Sequence, residues 1–292
     1  TQTTYLNLGG DLLVNTGATF YRVSGTSTVT FGISGMSANS TWGGTGTYSN
    51  ASINYIIQNL PVGKIINLYD FNTSTLTTVA GATLTVNSGA TLNCKTQIIG
   101  GSGNFTLQAG GILGLGHSNG LNGNITTTGT KTYNATGAGT TFVFNGSTAN
   151  QVTGSNFPAT ITNLTIDNTY AAGIVTLSNN TTVNGILRLN SSVLFTDTYN
   201  LTLPSGASLV GNPFNATNMI ATGTGRFYKY FPIGNSAAFT FPVGDIEGTA
   251  EYSPVTLDFS ANTVAGTVGV RVIDLKHPSM NIQGAVVDYI TR

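Results

Sequence analysis

Charge is what this chain has least of. Only 7% of its 292 residues are Asp, Glu, Lys or Arg, against about 25% in ordinary soluble domains. Ten basic and ten acidic side chains cancel, so charge gives no ground for nucleic acid or an anionic membrane surface as partner. A single cysteine, Cys94, excludes an internal disulfide framework. It stands two residues after Leu92, at strand spacing, and reads as a small buried hydrophobe. No motif links it to the base that a nucleophilic thiol needs. A run of roughly 18 apolar residues is missing, so no membrane span is expected. Thr1-Gln2-Thr3-Thr4 has neither the basic nor the apolar region of a secretory leader. With so little charge, the chain reads as a processed or excised segment of a secreted protein.

What is present is apolar, β-prone and regularly interrupted. Hydrophobic residues make up 40% of the chain and alternate with Thr, Ser and Asn. That alternation argues for half-buried strands and against disorder. One pattern recurs: Leu-x-[Val/Leu]-x-x-Gly-[Ala/Gly]-x-[Leu/Phe]. Copies begin at Leu12, Leu84, Phe105 (in place of Leu) and Leu201, with glycines at Gly17, Gly89, Gly110 and Gly206. A weaker copy from Leu187 has Ser192 at the glycine position. Apolar residues two apart share one face of a strand, and the glycine permits the corner between two strands. Self-similarity of this kind points to stacked coils.

The expected fold is therefore all-β: a right-handed parallel β-helix, or solenoid, over residues 1–222, with irregular N-terminal coils. A β-sandwich-like module, incomplete at the chain end, follows over 223–292, where the texture turns aromatic and proline-containing (Arg226 to Pro232, Phe239 to Asp245, Tyr252 to Phe259). At roughly 20–25 residues per coil and about 4.8 Å per coil, the solenoid is a rod of about 45 Å. Its core is expected to hold Leu84, Val86, Leu92, Phe105, Leu107, Phe142, Phe144, Leu164, Ile166, Leu187, Leu189, Leu201 and Leu203. The polar stretch Ser34 to Ala51, with Trp42, reads as a loop leaving the stack or a cap over its first coil. No segment has helical periodicity, and Asn124-Ile125-Thr126 reads as a strand.

Asn163-Leu164-Thr165-Ile166-Asp167-Asn168, Val183 to Leu189, Leu201 to Leu209, Phe241-Pro242-Val243-Gly244-Asp245 and Tyr252-Ser253-Pro254-Val255 together resemble large surface proteins of Bacteroidota. Those proteins are exported by the type IX secretion system, and some are adhesins. The resemblance covers roughly residues 140–275. It implies an extracellular or cell-surface location and a structural or adhesive role, and it carries no catalytic residues with it. The C-terminal sorting domain of such proteins is not recognisable here, which fits a fragment.

Candidate chemistry is sparse. Glycoside hydrolysis needs two carboxylates across the scissile bond. Before residue 160 only Asp11 and Asp70 are acidic, and Asp167 and Asp197 follow far apart beside turns. Asp245, Glu247 and Glu251 form the one tight acidic group, either a Ca²⁺ ligand set or a solvated loop. His117 and His277 have no partner at metal spacing. Arg226 to Phe231 reads as strand core or module interface, with sugar stacking as the alternative. Sequons at Asn104, Asn124, Asn163 and Asn200 fall in or beside strands and are not read as glycosylation sites. Thr-x-Thr pairs such as Thr83-Leu84-Thr85 raise ice binding, which irregular spacing disfavours. No catalytic, cofactor or metal residues are assigned, and no cofactor is expected. The function expected is a non-catalytic structural or adhesive stalk. A polysaccharide-binding or polysaccharide-degrading β-helix and a self-assembling fibre subunit are the alternatives. Surface glycans, other surface proteins or further copies of the chain are the candidate partners.

Overall fold

The computed structural model describes residues 3–273 except 23–24, 33–35, 37, 49–51, 59, 72–74, 135–138, 172, 191 and 212. The chain winds about ten times around one apolar core and lays strands on three faces. The first face carries, in chain order, Thr3–Leu8, Thr26–Phe31, Ile53–Ile57, Thr83–Val86, Asn104–Leu107 and Lys131–Tyr133, then a second sheet of Thr160–Ile161, Thr181–Val183, Leu201–Leu203 and Phe227–Phe231. The second face is one uninterrupted sheet of nine strands, from Leu12–Leu13 to Ser208–Val210. The third is broken into shorter sheets, the longest running through Gln151–Val152, Ile174–Thr176, Val193–Phe195, Ile220–Ala221 and Val243–Asp245. Every pairing between successive coils on these faces is parallel. The repeat is elastic: 19 residues separate the paired Val175 and Leu194, and 30 separate Leu12 and Trp42.

Register explains the core. Leu92 pairs with Leu113, Leu113 with Phe142, Phe142 with Leu164 and Leu164 with Leu187. Period-two alternation turns each of these inward. All thirteen core residues expected from the sequence are at most 1% exposed. The motif glycines Gly17, Gly89, Gly110 and Gly206 have φ of 84°, 72°, 80° and 80°, a left-handed corner that a Cβ resists. The motif serves two corners. At Leu84, Phe105 and Leu201 it joins the first face to the second, whereas at Leu12 and in the Leu187 variant it joins the second to the third.

Two expectations are corrected. The stretch around Trp42 is not a loop or cap. Ser40–Gly43 is a second-face strand paired with Leu12–Leu13 and Ile66–Tyr69, and Trp42 is fully buried between Phe31 and Tyr55, with ring centroids 4.7 Å from each. The surrounding Gly, Ser and Thr disguised this strand: Gly43 must be a glycine because a Cβ there would lie 1.6 Å from the Tyr69 carbonyl oxygen. Asn124 is not in a strand either. It ends a short helix, Gly120–Asn124, that replaces a third-face strand, and only Ile125 bridges in parallel, to Ile99.

Stacking continues past residue 222. Phe227–Phe231 pairs in parallel with Leu201–Leu203, and Val243–Asp245 with Ile220–Ala221. The pairing then reverses. Gly266–Val270 lies antiparallel on Phe227–Phe231, and Glu251–Tyr252 on Val243–Asp245. Gly234–Phe241 and Val255–Asn262 form an antiparallel ribbon. Phe227, Phe231, Phe239, Phe241 and Phe259 cluster there, with ring centroids 4.7–6.4 Å apart.

Asparagines hold the corners. A strand leaving a corner offers a backbone N–H with no carbonyl opposite it, and in coil after coil an Asn Oδ1 from the preceding coil accepts that bond. Asn54 accepts from Thr83 (2.9 Å), Asn104 from Thr130 (2.9 Å), Asn163 from Ile186 (3.0 Å), Asn180 from Asn200 (2.8 Å) and Asn200 from Arg226 (3.0 Å). Asp11 does the same for Thr41 at 2.7 Å. Asn124 is the buried counterpart. Its amide donates to Lys95 O (2.8 Å) and Gln97 O (2.7 Å), and its Oδ1 accepts from His117 N–H (3.1 Å).

Two expected outcomes follow for equilibrium urea unfolding. Gly206 has open space around a Cβ, so Gly206→Ala costs only its backbone strain, about 1–2 kcal/mol, while Leu164→Ala costs about 2–5 kcal/mol. Asn124→Ala leaves Gln97 O and His117 N–H without a protein partner, while Lys95 O keeps its bond from Gly116 N–H, and costs about 2–3 kcal/mol. Asn104→Ala exposes its donor to water and costs about 1 kcal/mol.

Candidate functional site

The two carboxylates weighed for hydrolysis stand apart. Asp167 follows Asn163–Ile166, at the corner from the second face to the third. Asp197 follows Val193–Phe195, at the corner from the third face to the first. Asp197 is a corner residue with φ 53°, and its backbone oxygen accepts from Gly225 N–H at 2.8 Å. Asp245 lies opposite Glu251 in an antiparallel hairpin and is 7% exposed, while Glu247 is exposed in the turn. Among the described residues no group of three His, Cys, Asp or Glu could hold a metal ion. His117 is packed into the fold: its Nδ1 accepts from Asn119 N–H at 3.0 Å, and its ring fills the space a Cβ on Gly123 would need. His277 lies outside the described residues. Cys94 is fully buried, and burial pushes its thiol far above the ordinary range.

The aromatic-basic run is a strand with Phe227 and Phe231 buried in the core. Lys229 lies between them, and its Nζ donates to Pro204 O (3.2 Å) and Ala207 O (2.9 Å) of the corner below. Burial lowers its pKa. Threonine rows do not build a uniform array. The outward first-face row reads Thr30, Ile56, Thr85, Thr106, Thr132, and the neighbouring row reads Thr28, Asn54, Thr83, Asn104. The sequon asparagines Asn104, Asn124, Asn163 and Asn200 are all engaged in the hydrogen bonds described above.

Among the described residues there is a concavity that no sequence motif marked. Two hollows of about 580 and 550 Å³ adjoin along the corner between the second and third faces and share Asn190. The first is lined by Arg188, Val210, Gly211, Pro213, Asn215 and Asn218. The second is lined by Asp167, Asn168, Thr169, Tyr170, Ala171 and Gly173, with Thr217. Three successive coils thus contribute, so the trough runs along the stacking direction. Its walls are braced. Asn215 Oδ1 accepts from the N–H and the hydroxyl of Thr217, both at 2.8 Å, and Asn218 Nδ2 donates to Pro213 O at 3.0 Å. On the other side Asn168, 1% exposed, donates to Ala149 O and Gln151 Oε1, and its Oδ1 accepts from Tyr170 N–H. The Asp167 carboxyl is half-buried, which raises its pKa, while a hydrogen bond from Asn190 pulls the other way. Only the Asx-turn chemistry of Asn215 and Thr217 was readable beforehand, and it indicates a loop, not a trough.

The trough is mixed in polarity and charge-balanced, with one carboxylate, one guanidinium, four amides and an exposed Tyr170. It offers hydrogen bonds but lacks the second carboxylate of an acid–base pair. No protein-family model, curated protein or solved structure matches the chain.

The raised Asp167 pKa has a sign. The folded state binds its proton more readily than the unfolded chain does, so the ionised group costs stability above the folded pKa and nothing below the unfolded value of about 3.9. Asp167→Asn is therefore expected to raise Tm at pH 7, with the gain shrinking to nothing near pH 3 in thermal melts followed by circular dichroism.

Proposed function

We propose that the chain is a non-catalytic structural or adhesive segment of a large extracellular surface protein, acting as a stiff stalk or binding surface. The observation that carries this reading is the continuous apolar core running from Val29 to Val243 under parallel ladders on three faces. Such a body resists bending and local opening because each coil is held by backbone bonds and packing to the next. The resemblance to type IX-exported surface proteins of Bacteroidota supports the location. The reading takes the winding as right-handed, as parallel β-crossovers are in about 98% of cases. It takes the antiparallel strands after Val243–Asp245 as the opening of a β-sandwich-like module.

Polysaccharide binding is the second reading, favoured by the trough beside Asp167. Polysaccharide degradation has less support, because Asp167 and Asp197 stand at different corners. Against coil-on-coil assembly at the C-terminal end stand Gly266–Val270 and Glu251–Tyr252, which lie antiparallel across two of the three faces. The expected outcome of limited proteolysis is a long-lived fragment spanning at least residues 83–245, with no products released from a panel of polysaccharides. Rapid digestion throughout, or products whose release is lost in Asp167→Asn and Asp197→Asn, would overturn the reading.

A further inference from the structure

Resting on the adhesive half of that function, we propose that the trough along Asp167, Tyr170, Arg188, Asn190 and Asn218 is a binding site for a neutral polysaccharide chain. Shape comes first. Two adjoining hollows that share Asn190 and draw walls from three successive coils fit an extended ligand lying along the stack, not a compact one.

Chemistry narrows the class. A sugar hydroxyl both donates and accepts, and the trough offers both: amides at Asn190 and Asn215, a guanidinium donor at Arg188 and a carboxylate acceptor at Asp167. One acceptor is unfilled. Asn218 is 6% exposed, its Nδ2 is spent on Pro213 O, and its Oδ1 has no partner. That oxygen is itself buried, so the amides open to a ligand are those of the exposed Asn190 and Asn215. Tyr170, 42% exposed at the margin, presents an aromatic face for the C–H side of a sugar ring. Charged polymers fit poorly, since a polyanion meets Asp167 and a polycation meets Arg188. The lining is mixed, with somewhat more apolar than polar surface, which matches the alternating C–H and hydroxyl faces of a sugar chain.

The site is also pre-organised. The Asn215–Thr217 turn, the Asn218–Pro213 bond and the Asn168 anchor hold the described parts of the walls before any ligand arrives. That spares the ordering cost which weakens binding to loose loops. The buried Asn168, bonded to Gln151 at 3.0 Å, sets the position of the Tyr170 segment.

The test is isothermal titration of the chain with linear hexasaccharides of glucose, mannose and xylose, with hexagalacturonate and a hexalysine peptide as charged controls. Saturable binding of at least one neutral hexasaccharide is expected, weakened at least tenfold in Tyr170→Ala and in Asn190→Ala. Melting temperature and protease resistance, measured on the same samples, stay at wild-type values because both side chains are at the surface. A protease-resistant wild type that binds none of the neutral sugars, or binding that survives both substitutions, overturns this inference alone. Preferential binding of either charged control also overturns it. Loss of protease resistance in the wild type itself would instead strike at the scaffold.

Discussion

Every backbone N–H and C=O in a stacked coil must find its partner in the coil above or below, and the rest of this structure depends on meeting that demand. Along the faces the parallel ladders meet it. At corners the chain turns, the ladder lapses and an unpaired N–H is expensive to leave in a packed body. Asparagine resolves the conflict because its side chain carries the same amide as the backbone. The bonds from Asn54, Asn104, Asn163, Asn180 and Asn200 to the following coil extend the ladder sideways around the bend. A chain with so little charge is thus not short of polar interactions, since its amides work between coils.

The same demand accounts for the irregular repeat. Coil length varies from 19 to 30 residues without disturbing register on the second face, because extra residues leave at corners and the strands return to pairing. Even the short helix Gly120–Asn124 is absorbed. Leu121 N–H bonds to Thr153 O at 3.1 Å, and Val152 N–H to Ser118 O at 2.9 Å, so the ladder passes through it. Where the first-face ladder is interrupted, Phe157 packs edge-on against Phe142 and Phe144 at 5.0 and 5.4 Å and keeps the core filled.

Much of the scaffold was legible in the sequence because its signals are local. A glycine at a left-handed corner and apolar residues two apart need no knowledge of the rest of the chain, and the motif copies at Leu84, Phe105 and Leu201 fold as strand, corner, strand. Trp42 escaped because its strand ends in Gly43 and runs into Gly44, whose reason is contact with another coil: a Cβ on Gly44 would lie 2.4 Å from Val14 O. The asparagine bonds escaped for the same reason, as each partner lies 20 or more residues away. The trough beside Asp167 is the extreme case. It is assembled from three coils and an Asx turn, and nothing in any one segment announces a hollow.

Amide hydrogen exchange at the corners tests the central claim most directly, because the stacking account makes the amides of Thr83, Thr130, Ile186 and Arg226 depend on a side chain from the coil before. All four are expected to exchange slowly, and each is expected to lose protection when its own asparagine, and no other, is changed to alanine. Corner amides that exchange at the rate of an unstructured chain, or that are indifferent to those substitutions, would contradict the stacking of coils in this register.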